Sequence, residues 1–186
     1  MERERAVDGL KSIVKIAIQL LVLVLIILFI QTFIFRVIVT DGDSMSPTIE
    51  HKDMLVISKL PYLFGEPEVG DIVVFPYKGN NKDKYIKRVV ATEGDVLDIE
   101  NGTIYINDEV LDDEYSHDIT TMGDIDYPFT VPEDRYFCMG DNRNASRDSR
   151  FLDVGVMSES DFLGRVIFKF YPFSKAFEDL DASFNY

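Results

Sequence analysis

The first pattern along the chain is one uninterrupted apolar block. Residues 16–35 carry no charge over twenty positions, and Gln19, Gln31 and Thr32 are their polar members. A helix of that length rises about 30 Å, the thickness of a bilayer's hydrocarbon core. Beyond the block, apolar positions stop recurring at helical spacing. They form short runs separated by Gly, Asn, Asp and Pro, which is how strands and turns read. The runs at 37–40, 54–58, 71–75, 85–91, 96–100, 103–106, 135–139 and 165–171 are expected strands. Asn101-Gly102 lies between two of them as a hairpin turn. Residues 65–70 and 79–83 read as loops. Residues 108–126 hold no Lys or Arg and read as a solvated acidic loop or small subdomain. The expected fold class is mainly β, with an N-terminal transmembrane helix ahead of one domain.

The flanks of the apolar block refine that picture. Phe35-Arg36-Val37-Ile38-Val39 follows it and offers no small-x-small cleavage site, so the block reads as an uncleaved anchor and not as a removable leader. Arg3, Arg5, Lys11 and Lys15 precede it, whereas Arg36 alone follows closely. The basic flank belongs on the cytoplasmic side, which puts the domain on the other face of the membrane. The expected organisation is a cytoplasmic N-terminus (1–15), an anchor (16–35), an extracytoplasmic domain (36–173) and an acidic tail (174–186).

Charge and cysteine content narrow the classes. The chain carries a formal net charge of −14. Residues 1–36 hold five Lys/Arg and three Asp/Glu, which leaves −16 on the remainder. Such a domain lacks the basic face that phosphates require, so no nucleic-acid partner is expected. Cys138 is the single cysteine, which excludes an intrachain disulfide; in Tyr136-Phe137-Cys138-Met139 it reads as a packed thiol. No His/Cys cluster has zinc-ligand spacing and no EF-hand spacing occurs, so neither metal nor cofactor is expected.

Three segments carry candidate chemistry. Gly42-Asp43-Ser44-Met45-Ser46-Pro47-Thr48 is a shaped turn: Gly42 permits unusual backbone angles, and Pro47 pushes Ser46 towards an extended conformation. Spacing alone does not separate Ser44 from Ser46 as a nucleophile. Lys87 lies in Tyr85-Ile86-Lys87-Arg88-Val89-Val90, where strand alternation puts it on one face with Tyr85 and Val89. Burial there lowers its pKa; a drop of about two units costs roughly 2.7 kcal/mol and calls for a functional reason. Asp141, Arg143, Asp148 and Arg150 alternate in sign around Ser146, which suggests a loop locked by charge-assisted hydrogen bonds.

In that order the three segments resemble the bacterial type I signal peptidases, of the short single-anchor kind. The Ser-Met-x-Pro-Thr box, the Lys-Arg pair, the Gly140 to Arg150 box and Gly70-Asp71-Ile72-Val73-Val74-Phe75 all match, and the likeness runs from the anchor nearly to the C-terminus. The resemblance implies an antiparallel β domain of coiled sheets. It implies Ser44 as nucleophile, Lys87 as general base and Ser146 as the residue that orients the lysine. Asp141, Arg143, Asp148 and Arg150 become structural support. Met45, Ile49, Tyr85 and Ile86 match positions that line the family's shallow apolar pockets. The implied substrates are signal peptides of exported preproteins with small residues at the first and third positions before the cut. Segments 37–44 and 84–87 would receive the substrate as an added strand. The other implied surroundings are the lipid bilayer and a monomer working near the translocation machinery.

Gly42 stands where some members have a serine that completes the oxyanion hole, so the hole would rest on the Ser44 backbone N–H and a second backbone donor or water. Glu93-Gly94-Asp95 replaces a common Pro-Gly-Asp turn. Rival readings are a Ser-His-Asp hydrolase using His51 or His117, a self-cleaving repressor with Ser/Lys chemistry, and a non-catalytic membrane-tethered binding or assembly factor on the same fold. The lack of a DNA-binding helix pair disfavours the repressor, and the presence of all three residues disfavours the binding factor.

Overall fold

The computed structural model describes residues 2–29, 34–77, 80–111 and 119–172, with side chains except at 2–10 and 80–82. Helix α1 (Glu2–Phe29) includes the basic flank as well as most of the apolar block. Its Lys11–Phe29 stretch has a mean hydropathy of 2.8, long and apolar enough to cross a membrane. Its large apolar side chains from Ile13 to Phe29 are exposed, as suits lipid and not a protein core. Phe35, the last residue of the charge-free block, opens a strand instead of closing the helix.

The domain after the helix forms a unit of its own. Its larger sheet takes β1 (Phe35–Val39), β2 (Met54–Ser58), β3 (Ile72–Tyr77) and β4 (Asn80–Ala91) from the first half of the chain. β9 (Phe137–Met139) and β10 (Gly164–Tyr171) join it from the end, in the order β1-β2-β10-β3-β4-β9. A smaller sheet has the order β7-β6-β5-β8, from β5 (Val96–Glu100), β6 (Thr103–Ile106), β7 (Glu109–Val110) and β8 (Phe129–Thr130). β3 pairs antiparallel with both β4 and β10, and β5 with both β6 and β8. The mainly β, antiparallel architecture is the expected one.

Expected strands 54–58, 96–100 and 103–106 form with those bounds. Asn101 and Gly102 have φ of 51° and 83°, the positive pair that a two-residue hairpin turn demands. Residues 80–83, read as loop, instead extend β4: Tyr77 pairs with Asn80 and Pro76 with Lys84, so the hairpin with β3 continues past the apolar run. Backbone pairing satisfies N–H and C=O groups whatever the side chains, and here it overrides polar composition. The acidic stretch is likewise not all solvated loop. Asn107 and Asp108, with φ of 53° and 67°, turn the chain into β7, and Leu111 and Thr120 are buried. Leu111 joins the core with Leu97, Ile99, Ile104 and Phe137 and carries the acidic segment onto the sheet. Residues 112–118, with His117, and the tail from 173 lie outside the described residues.

Candidate active site

Ser44 sits on the connection between β1 and β2. Thr40, just after β1, bonds back through its N–H to Asp53 O (2.9 Å), which closes the connection. Gly42 adopts φ of +113°, a value that a side chain disfavours. Ser46 N–H then bonds to Asp43 O (3.1 Å) and Ile49 N–H to Met45 O (2.9 Å), so residues 43–49 coil tightly. Met45 and Ile49, four apart on that coil, both plug into the core formed by Leu55, Ile57, Ile72 and Val74. Hydrophobic burial on one side of the turn leaves Ser44 on the other, half-buried.

Lys87 enters from β4. Its side chain is 2% exposed, and Nζ donates to Ser44 Oγ at 2.7 Å. Burial pushes its pKa down to about 8, against the opposing pull of Asp148; the Arg150 guanidinium adds to the lowering. The buried Cys138 thiol neighbours the same environment, and burial pushes its own pKa up, so it stays protonated. His51, by contrast, is turned to the backbone: its Nδ1 accepts from Gly42 N–H (3.2 Å) and lies 3.5 Å from Asp41 Oδ1. No hydrogen bond joins it to Ser44 among the described residues.

The two residues are held by buried charge. Arg88, adjacent to Lys87 and on the opposite face of β4, forms a bidentate pair with Asp141 (2.9 and 2.8 Å), and both side chains are fully buried. Arg88 also donates to Gly70 O (3.0 Å). Asp141 in turn accepts from Thr48 Oγ1 (2.6 Å), on the turn that bears Ser44. A second bidentate pair joins Arg150 to Asp148 (2.8 Å each). Arg150 reaches on to Arg143 O (2.7 Å) and to Thr121 O (3.0 Å), so the acidic segment helps to hold this loop. Burial alone would raise the Asp148 pKa, but its bond and charge pairing with Arg150 hold it below the usual carboxylate range. Arg150 and Asp148 thus pair within the loop, whereas Asp141 pairs out of it, to Arg88. Arg143 is buried, with Nη1 3.8 Å from Met139 Sδ.

Ser146 and Gly140 complete the wall. A Cβ on Gly140 would overlap Ser146 Oγ, Ser146 Cβ and the Ser44 carbonyl oxygen, so glycine lets the loop close on the turn that bears Ser44. Asn142 fastens the same contact: its N–H bonds to Ser44 O (3.1 Å) and its side chain to Asp43 O (3.1 Å). Ser146 Oγ is buried and makes no hydrogen bond of regular geometry among the described residues, although it lies close enough to Asp148 to favour that carboxylate's charge. Gly140→Ala is expected to lower activity at this site at least tenfold while costing about 1–3 kcal/mol, the usual range for overpacking. Initial rates measured beside a thermal melt check this; unchanged rates would show that the contact does not hold the site.

A cleft of about 690 Å³ opens over Ser44 and Lys87. Met45, Ile49, Tyr85 and Ile86 are among the residues that line it, with Ala145 and Arg147. Two strand edges face it. β1 is the outermost strand of its sheet, and β9 pairs with β4 only from Arg88 onward, which leaves residues 83–87 open on that side. Sequence reasoning missed Arg88, Thr48, Asn142, Gly140 and Lys169 as parts of the scaffold. Alternation along β4 signals Arg88, since a cation beside Lys87 on the opposite, apolar face needs a buried anion.

Residues 13–171 match the family described as signal peptidase, peptidase S26. The chain belongs to this family. It is 34% identical over 175 residues to signal peptidase I S of Bacillus subtilis, covering 89% of this chain and 92% of that one. It is 36% identical over 155 residues to a probable signal peptidase I-2 of Synechocystis, at 80% and 69% coverage. Signal peptidase IB of Staphylococcus aureus is 30% identical over 181 residues, at 89% and 93% coverage. A crystal structure of a signal peptidase I from Enterococcus faecalis is 28% identical and covers 54% of this chain and 97% of its own, with a TM-score of 0.46. The chain is therefore an enzyme of signal peptidase I type, and signal peptide cleavage is the family's activity.

Proposed function

We propose that the enzyme is a membrane-tethered serine endopeptidase that removes N-terminal signal peptides with Ser44 as nucleophile and Lys87 as general base. One observation carries the reading: a buried lysine, its pKa lowered to about 8, lies 2.7 Å from a serine hydroxyl at the floor of a cleft. When Lys87 is neutral its lone pair accepts the Ser44 proton, and Oγ attacks the scissile carbonyl. The resulting ammonium protonates the leaving amine. The neutral amine then takes a proton from water, which hydrolyses the acyl-enzyme.

The surrounding residues fit that cycle. Ser44 N–H meets no acceptor among the described residues and is the first oxyanion donor of the reading. The Ser146 hydroxyl, buried without a well-formed hydrogen bond, carries a desolvation cost that a role in orienting the Lys87 amine would explain. The open edges of β1 and β4 would take the substrate as an added strand, with small side chains directed at Met45, Ile49, Tyr85 and Ile86. Asp141, Arg143, Asp148 and Arg150 support the geometry without touching the reacting atoms. The basic flank before the apolar block supports a cytoplasmic N-terminus with the domain outside, near the translocation machinery, where signal peptides emerge.

Detergent-solubilised protein should cut a preprotein bearing an Ala-x-Ala site after the second alanine, as read by sequencing the new N-terminus. Ser44→Ala should be folded and at least about 10⁴-fold slower, as expected when one member of a catalytic unit is removed. Cleavage by Ser44→Ala at a wild-type rate would overturn the assignment.

A further inference from the structure

The second buried lysine has no part in the chemistry above. Lys169, on β10, is 0% exposed, yet its strand lies among Val166, Leu55 and Ile57, where an apolar side chain would be cheaper. Its Nζ donates to Thr48 O at 3.0 Å and lies 3.4 Å from Asp53 Oδ2. Asp53 is itself 2% exposed and accepts from Glu50 N–H at 2.8 Å. Thr48 is therefore gripped twice by buried charge: its carbonyl by the Lys169–Asp53 pair and its hydroxyl by the Arg88–Asp141 pair (2.6 Å). Thr48 is four residues from Ser44, on the coil that Met45 and Ile49 fix to the core. Arg88 is the neighbour of Lys87 on β4.

We propose that Lys169, with Asp53, is a positioning residue that sets the distance between Ser44 and Lys87 by fixing the Thr48 end of the nucleophile turn. The proposal rests on the Ser44–Lys87 reading. The geometry gives the clamp a directional job. The Arg88–Asp141 pair ties the turn to the strand that carries the base. The Lys169–Asp53 pair ties it to β10 and to the start of β2. Released from the second tie, the turn keeps its link to β4 and its apolar plugs but loses the fixed placement of its carbonyl. The consequence falls on the approach of Ser44 Oγ to the Lys87 amine more than on the cleft floor, which Met45 and Ile49 hold independently.

The test is the double variant Lys169→Met/Asp53→Asn. It removes both charges together, so no ion is left buried alone, and the introduced amide oxygen still accepts from Glu50 N–H. Preprotein cleavage is measured across pH 6–10, well below the melting temperature, beside wild type and Ser44→Ala. The expected result is kcat at least tenfold lower, KM within about threefold, and the acid limb of kcat/KM displaced by half a pH unit or more. A folded double variant with wild-type kcat and an unmoved limb would overturn the proposal, even with a lowered melting temperature. Should the double variant not fold, Asp53→Asn alone carries the test, with a threefold or greater loss of kcat expected and wild-type kcat contradicting it. Absence of cleavage by wild type would instead count against the Ser44–Lys87 reading itself.

Discussion

Lys87→Met should cut the cleavage rate by about 10⁴-fold or more and, at the same time, make the folded enzyme more stable at neutral pH. On the proposed reading the loss follows from removing the group that takes the Ser44 proton; acid–base groups contribute about 10²–10⁴-fold alone and more when they act with a nucleophile as a unit. The gain follows from linkage. Burial lowers the Lys87 pKa from 10.5 to about 8, so below pH 8 the unfolded chain binds a proton more readily than the folded one. That difference is worth about 3 kcal/mol against the folded state, present in full below pH 8 and lost as pH rises to the unfolded value. Methionine fills a similar volume without charge. After subtracting about 1 kcal/mol for the lost hydrogen bond to Ser44, the variant should gain about 2 kcal/mol at pH 7, or roughly 5 °C in melting temperature. The gain should shrink above pH 8 and vanish by about pH 10, as the penalty falls towards zero at the unfolded-chain value of 10.5. Equal or lower stability at pH 7 would mean that Lys87 is not penalised by burial.

Asp141→Ala should have the largest destabilising effect, about 3–5 kcal/mol, because it strands the Arg88 guanidinium in the core. Thr48 Oγ1 loses its acceptor in the same stroke. Against a total stability of about 5–15 kcal/mol, this is a large fraction. The double replacement Arg88→Met/Asp141→Leu removes both charges and should recover part of that loss, since an apolar pair of similar volume often matches a buried ion pair. Activity should not return with it, because the tie from β4 to the turn that bears Ser44 is gone. Urea midpoints for the single and double variants, with cleavage rates from the same samples, check both statements. A double variant no more stable than Asp141→Ala would contradict the account of Arg88 as the stranded partner.

The contrast between those two variants reflects what the amino-acid order makes readable. The 42–48 turn, Lys87 and the 140–150 loop each carry a local pattern (a glycine-proline turn, a charge inside an apolar strand, and alternating signs around a serine), but only their joint resemblance to the signal peptidases singles out Ser44 over Ser46. Strands 54–58 and 96–106 stand out for a similar reason, since apolar runs and an Asn-Gly turn fix their bounds within a few residues. Alternation along β4 marks Arg88, but the pairing within each clamp leaves no local trace. Arg88 and Asp141 are 53 positions apart, and Lys169 and Thr48 are 121 apart; only the order β2-β10-β3-β4 brings them to one turn. β7 and β8, two residues each, are too short to show an alternating pattern and are defined by pairing with their neighbours. Gly140 reads as an ordinary loop glycine until the loop is folded against Ser44.

The most direct measurement is the pH dependence of kcat/KM for preprotein cleavage between pH 5 and 10. On the proposed mechanism the neutral Lys87 amine is the reactive form, so the rate should rise tenfold per unit from low pH and level off near pH 8. His51→Gln should keep that limb in place. A limb centred near 6.5, the ordinary value for histidine, that disappears in His51→Gln would contradict the Ser44–Lys87 account.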